Sequence, residues 1–272
     1  IFIPEEKNEQ EWEQKGKSNS NNNYIQTSPL LEKPLNKQWG IEFNNPNTIV
    51  HEPLFVHDII YLLKNDNLTA LNLNGKKKWT FSFSDNFQSF ISYKSDTLFI
   101  IKESPKNEIL GIMANNGQIL FKIDLNNTIT HPIIINESIL YIENTVLKSA
   151  SRLTGKLEWA KNLNLNDTFR LVSNKHYIIA YNFNKKIICI DSRNGKVLWK
   201  SNKEVNLKYD PVIIDNNLFV IDEGDTDQIL NYNLENGDIN WFYNKAILNL
   251  KITSTPSVNN ELLVIQTLIN SK

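Results

Sequence analysis

The chain reads as an all-β protein, a β-propeller of four-stranded antiparallel blades, on three observations. A glycine followed four residues later by an aromatic recurs at intervals near 40 residues; the residue before each glycine is Asn or Thr; and two short apolar runs precede these units, with no 3.6-residue patterning anywhere. Each observation can be followed along the chain.

The recurring units are Gly75-Lys-Lys-Lys-Trp79, Gly117-Gln-Ile-Leu-Phe121, Gly155-Lys-Leu-Glu-Trp159, Gly195-Lys-Val-Leu-Trp199 and Gly237-Asp-Ile-Asn-Trp241, with glycine-to-glycine steps of 42, 38, 40 and 42. Asn stands before the glycine at 74, 116, 194 and 236, and Thr at 154. Asn-Gly between two strand-like runs predicts a type I′ hairpin, whose two central residues both take positive φ. Upstream, Glu52-Pro-Leu-Phe-Val-His-Asp runs into Ile59-Ile-Tyr-Leu-Leu, and the pattern returns from His131, Asp210 and Thr255, each followed by Pro. Proline opening a strand removes no ladder bond, and Asn/Asp-rich turns join the two runs. Four strands per 40 residues make a blade.

The predicted blades span about 48–85, 86–127, 128–166, 167–206 and 207–250, and a sixth opens at 251. That sixth blade has its first two strands and no closing hairpin, so five full blades and a partial one are expected, in a protein whose intact form holds seven or eight. Asn36-Lys-Gln-Trp39 stands 40 residues before Trp79 and fits as the last strand of a blade. The expected division is therefore a polar N-terminal arm or tether over 1–35, anchored by Trp12, Tyr24 and Leu30, and a propeller over 36–272 that is C-terminally incomplete.

Composition narrows the function. With 29 Lys+Arg against 30 Asp+Glu and a formal charge of -1, no whole-molecule field attracts nucleic acid or an anionic membrane. The one cysteine, Cys189, sits in the apolar run Lys-Ile-Ile-Cys-Ile-Asp and reads as a small buried hydrophobe; no disulfide can form within the chain. No apolar run reaches 18 residues. The sequence opens at Ile1 without Met, which reads as a processed or a trimmed chain; any signal peptide or lipid anchor would lie upstream.

Chemistry is sparse. His51, His57, His131 and His176 are scattered, with His51 and His131 at equivalent strand starts. Asp222-Glu-Gly224-Asp-Thr-Asp227 offers oxygens to a hard cation, but it falls on a hairpin turn and lacks a matching Glu downstream, so it reads as a solvated turn. No nucleophile elbow, phosphate loop or zinc spacing is present. The expectation is no catalytic residue, no metal and no cofactor.

These units resemble the pyrroloquinoline-quinone-type propeller repeat. Cys189-Ile-Asp191-Ser-Arg-Asn194-Gly195-Lys-Val-Leu-Trp199 is the fullest copy, and Ser149-Ala-Ser-Arg-Leu-Thr154-Gly155-Lys-Leu-Glu-Trp159 is close to it. The resemblance implies that Trp39, Trp79, Phe121, Trp159, Trp199 and Trp241 lodge between neighbouring blades as structural anchors. Quinone-dependent dehydrogenases with this repeat use an adjacent cysteine pair; here Ile190 follows Cys189.

Within that family the layout is most similar to the BamB group of outer-membrane lipoproteins, which implies a periplasmic, non-enzymatic, monomeric scaffold whose partner is the BamA-like core of the β-barrel assembly machinery. The group's Leu-Arg contact loop and later acidic loop map onto Arg170 and Leu171 in Asp167-Thr-Phe-Arg170-Leu171, and onto Asp210 before Pro211. Phe169 stands where that group has Leu. Two other readings stay open: a ligand-binding or quinoprotein-derived propeller, and the sensor domain of a larger envelope protein.

Overall fold

A computed structural model describes residues 39–40, 53–64, 67–83, 87–102, 106–127, 129, 132–163, 169–182, 184–207, 209–222, 228–244, 250–258, 263–265 and 267–269. The expected arm over 1–35, His51, His131, Asp167 and residues 223–227 of the acidic stretch lie outside them. Two compact units divide after Asn126.

The first unit holds two four-stranded antiparallel sheets with sequential strand order. One is β1 (Leu54–Val56), β2 (Ile59–Lys64), β3 (Asn67–Asn72) and β4 (Lys77–Ser82); the other is β5 (Phe87–Lys94), β6 (Thr97–Lys102), β7 (Asn107–Met113) and β8 (Ile119–Leu125). The second unit continues with β9 (Ile133–Ile135), β10 (Ser138–Glu143), β11 (Val146–Ser151) and β12 (Leu157–Asn162). Next comes a sheet of β13 (Arg170–Ser173), β14 (Tyr177–Tyr181), β16 (Ile188–Asp191) and β17 (Val197–Lys200), with β15 (Asn184–Lys185) paired to β18 (Val205–Asn206) beside it. The fifth sheet is β19 (Val212–Ile214), β20 (Asn217–Asp222), β21 (Gln228–Asn233) and β22 (Ile239–Asn244). Two short pairs follow: β23 (Leu250–Ile252) with β26 (Thr267–Ile269), and β24 (Ser257–Val258) with β25 (Leu263–Val264). No helix occurs among the described residues. The four strands of each full blade are called A to D in chain order.

The glycine turns differ from the sequence expectation. Gly195 takes φ +69° and Gly237 φ +79°, but none of Asn74, Asn116, Asn194 and Asn236 has positive φ, so these are not two-residue type I′ turns. The loop is longer: the Gly195 N–H donates to Asp191 O at 3.0 Å and the Gly237 N–H to Asn233 O at 2.9 Å. Asn serves here through its side chain. Asn194 Oδ1 accepts the Lys196 N–H at 2.8 Å and Asn236 Oδ1 the Asp238 N–H at 3.0 Å, each spanning the glycine. Thr154 does the same with its hydroxyl, accepting the Lys156 N–H at 3.4 Å, which explains why Thr can replace Asn there.

The two-residue type I′ turns lie instead between strands A and B of the first two sheets, at His57 (φ 48°) with Asp58 (φ 59°), and at Ser95 (φ 44°) with Asp96 (φ 61°). Left-handed backbone costs a non-glycine residue about 1–2 kcal/mol. Asp58→Gly is therefore expected to raise the stability of the protein by about 1 kcal/mol, read as a higher urea midpoint with an unchanged m-value.

Each full sheet carries a register shift at the same place, between its strands C and D. A strand-C residue pairs with the strand-D aromatic, and the shift follows directly: Ala70 with Trp79, Gly111 with Phe121, Ser149 with Trp159, Cys189 with Trp199 and Asn231 with Trp241. Most of these partners are small, which leaves room for the ring. At Gly111 a Cβ would come within 2.4 Å of the Phe121 ring.

Within each unit the cores lie between consecutive sheets, because period-2 alternation sends neighbouring side chains to opposite faces. In β16, Ile188 and Ile190 join a cluster with Ile133, Leu140 and Leu147 of the preceding sheet. Cys189 between them joins Leu218, Val220 and Leu230 of the following one. In the first unit, Leu63, Leu68, Ile100 and Ile112 form the equivalent cluster. Fully burying each such side chain contributes about 1.5–3 kcal/mol.

Two buried carboxylates hold the segments that enter their blades. At the end of β10, Glu143 accepts the Asn127 N–H at 3.3 Å and pairs with Lys148. At the end of β20, Asp222 accepts the Asn206 N–H at 2.9 Å, with Lys203 Nζ at 3.6 Å. Asp222, the first member of the acidic stretch, is thus a structural acceptor.

Candidate functional site

Arg170 and Asp210, which are 40 residues apart, meet in the second unit. Arg170 opens β13, and Asp210 lies in the loop that leads through Pro211 into β19, so the junction of two consecutive blades brings them together. Arg170 Nη1 donates to Asp210 Oδ1 at 3.0 Å, with the two side chains 52% and 37% exposed. A third residue completes the group. Tyr181 at the end of β14 pairs with Arg170 across the ladder, and its hydroxyl donates to the same Asp210 Oδ1 at 2.8 Å.

Burial, reinforced by the Asp210 charge beside it, pushes the Tyr181 phenol well above its ordinary range. It stays protonated and keeps its donor on the carboxylate. Asp210 is therefore anchored from inside by tyrosine and met from outside by arginine. An exposed ion pair of this kind is worth about 0–1 kcal/mol by itself, so its main effect is to place a guanidinium on the surface.

Leu171, expected beside Arg170 at an interface, is buried among Ile178, Ala180 and Ile190, and Phe169 belongs to the same cluster. Alternation along β13 turns Arg170 outward and Leu171 inward, so of the two side chains Arg170 is the one presented. Tyr181 was missed in the sequence: Tyr-Ile-Ile-Ala-Tyr reads as an ordinary strand, and nothing local shows that its last hydroxyl reaches a loop 29 residues further along.

The remaining candidates fall apart. His57 Nδ1 lies 3.2 Å from the Tyr93 hydroxyl, which donates to Asp96 Oδ1 at 3.1 Å in a neighbouring blade of the first unit. His176 sits on an exposed bend of the second unit. Among the described residues no group of three His, Cys, Asp or Glu could hold a metal ion. Burial pushes the Cys189 thiol up to about 12, so it is not a thiolate near neutral pH.

Burial likewise raises the phenols of Tyr61, Tyr141 and Tyr232 to about 12. A folded-state pKa raised above the unfolded value of 10 means that the unfolded chain loses its proton first. Stability is therefore held below pH 10 and lost as pH rises toward 12. Urea midpoints measured across that window should fall steadily; a flat profile would show that these phenols ionise without opening the core.

The aromatic anchors obey one geometry within each unit. In the first, Trp39 Nε1 donates to Leu73 O at 2.6 Å with its ring over Gly75, and Trp79 Nε1 to Ala114 O at 3.0 Å with its ring over Gly117. In the second, the Trp159 ring lies over Gly195, and Trp199 Nε1 donates to Leu234 O at 2.7 Å with its ring over Gly237. Phe121 has no N–H to offer and packs beside Phe99 of its own sheet. Trp241 is 43% exposed.

Sequential four-stranded sheets, a Gly–x3–aromatic unit in each and tryptophans seated on glycine turns define a β-propeller of pyrroloquinoline-quinone-like repeats. It resembles BamB: residues 164–243 match the family model described as "Outer membrane protein assembly factor BamB". BamB from Moraxella catarrhalis shares the fold at 14% identity, with a TM-score of 0.59 over 77% of this chain and 67% of that one. A computationally designed protein, Ika8, matches at 10% identity and a TM-score of 0.63, covering 81% of this chain and 68% of that one. A quinohemoprotein alcohol dehydrogenase from Comamonas testosteroni matches at 10% identity and a TM-score of 0.63, over 86% of this chain and 49% of its own length. No curated protein sequence matches the chain.

Proposed function

We propose that this chain is a non-catalytic scaffold of the bacterial envelope with a BamB-like role in the assembly and insertion of outer-membrane β-barrel proteins. The observation that carries the reading is where the BamB family model matches: residues 164–243 include β13, β14 and the loop before β19, and so Arg170, Tyr181 and Asp210. The partner is a BamA-like core component, and Arg170 with Asp210 forms part of the contact surface. Loops on a rigid sheet scaffold suit such contacts, since the sheets fix where each side chain stands. The location that goes with this role is the periplasm, on the outer membrane through a lipid anchor.

A ligand-binding reading draws on the fold shared with the alcohol dehydrogenase. It has less support, because Cys189 is followed by Ile190 and its thiol faces the core between two blades.

The test is affinity capture from solubilised envelopes with wild type and Arg170→Glu, followed by mass spectrometry. Recovery of the barrel-assembly core with wild type, reduced about tenfold or more by the charge reversal, is the expected result. Such a loss corresponds to about 1.4 kcal/mol, within the range for one interface charge. Equal recovery by both proteins removes Arg170 from the interface, and recovery of no protein partner favours the ligand-binding reading.

A further inference from the structure

Four turns of the chain carry Asn-Gly, at 74–75, 116–117, 194–195 and 236–237, and the fold does not treat the four asparagines alike. Asn-Gly is the dipeptide most open to one uncatalysed reaction with water, because glycine has no side chain to hinder its backbone nitrogen from attacking the preceding amide carbon. In all four turns the glycine N–H is bonded to the carbonyl of the last strand-C residue, at 2.8 to 3.0 Å, so that bond does not set them apart.

What separates them is the asparagine side chain. Asn116 Oδ1 accepts the Gln118 N–H at 3.0 Å, Asn194 Oδ1 the Lys196 N–H at 2.8 Å and Asn236 Oδ1 the Asp238 N–H at 3.0 Å. Two of the three are also tied at the amide nitrogen, Asn116 Nδ2 to Gln118 Oε1 at 3.2 Å and Asn236 Nδ2 to Asp238 Oδ2 at 2.7 Å. The first turn is one residue shorter: the Asn72 N–H reaches the carbonyl of Lys76, four residues on, where Met113, Asp191 and Asn233 reach five. In that tighter loop Asn72 takes over the acceptor's part, its Oδ1 receiving both the Asn74 N–H at 3.0 Å and the Lys76 N–H at 2.9 Å. Asn74 is exposed, and among the described residues its side-chain amide makes no hydrogen bond.

We propose that Asn74 is a site of spontaneous deamidation, with water as the co-reactant, and that the change unseats Trp39. The Gly75 nitrogen bonds to Asn74 Cγ, the Cγ–Nδ2 bond breaks, and ammonia leaves with the proton from Gly75. Water then opens the cyclic imide. Attack at Cγ gives aspartate; attack at the main-chain carbonyl leaves glycine attached to Cγ, so the backbone runs through the side chain and is one carbon longer. Either product adds a negative charge. Asn74 stands between the two residues on which Trp39 rests: the indole N–H donates to Leu73 O at 2.6 Å, and a Cβ on Gly75 would meet the ring at 2.9 Å. A longer backbone between those two points cannot hold both contacts.

The test ages the full chain at mildly alkaline pH and digests it, and mass spectrometry of the peptides gives a conversion rate for each of the four asparagines. Asn74 should convert about tenfold faster than each of the others, a ratio equivalent to about 1.4 kcal/mol, near what one hydrogen bond on the amide contributes. In denaturing urea, where the turns are gone, the four rates should come together. Equal rates in the folded protein, a lead by another asparagine, or an Asn74 lead undiminished in urea overturns the assignment. For the consequence, 5-fluorotryptophan is incorporated, and the 19F lines of Trp39 and Trp199 are identified by their loss in Trp39→Phe and Trp199→Phe. The aged protein, separated from its parent by the added charge, should show the Trp39 line moved and the Trp199 line in place. Asn74→Asp, which adds the charge without lengthening the backbone, should move neither. A Trp39 line that stays put on ageing, or that moves as far in Asn74→Asp, refutes the unseating.

Discussion

Trp199→Ala is expected to destabilise the protein by about 3–5 kcal/mol, the range for deleting a buried aromatic side chain. The ring touches two things at once. It stacks at 15° on Tyr232 in the fifth sheet, and it covers Gly237 while donating to Leu234 O. Trp199→Phe keeps most of the apolar contact and removes the N–H, leaving the buried Leu234 carbonyl without that donor, so about 1–2 kcal/mol should be lost. Denaturant unfolding of the three proteins separates the terms. A phenylalanine variant as damaged as the alanine one would mean that the hydrogen bond, not the ring, holds the junction.

Gly195→Ala should be the more damaging of two very small changes. The residue has φ +69°, and an added Cβ would stand 2.6 Å from Trp159 and 2.8 Å from the Lys161 side chain. Strain in the left-handed region costs about 1–2 kcal/mol, and displacing a seated ring about 1–3 kcal/mol more. The control is Asn194→Ala, which removes the side-chain acceptor that spans the glycine and should cost about 1 kcal/mol. If the two variants unfold at the same denaturant concentration, the ring does not depend on a bare glycine beneath it.

Much of this architecture was legible because a repeat multiplies weak local signals. One Asn-Gly is common; five glycines followed at a fixed distance by an aromatic fix the blade spacing and the strand count. Cys189 was readable as buried from the apolar residues around it, and it is. The role of the Asn was not readable. The dipeptide is compatible with two loop geometries, one using backbone φ and the other the amide oxygen, and the choice depends on a loop length that the strands settle. Arg170 and Asp210 could be proposed from their place in the repeat, but their meeting on one oxygen with Tyr181 depends on how consecutive blades stack. The inward turn of Leu171 depends on the strand register at Arg170. Local pattern sets the strands; contacts between blades set the site.

The alternation along β16 gives its single sulfur an unplanned use. Ile188 and Ile190 look toward the preceding sheet, whereas Cys189 looks toward the following one and donates to Leu234 O at 3.6 Å. A thiol reagent can reach that sulfur when the seam between the fourth and fifth sheets parts, even while the seam on the other side of the same strand stays shut. The rate of modification at Cys189 therefore clocks the breathing of one chosen seam, with no residue changed.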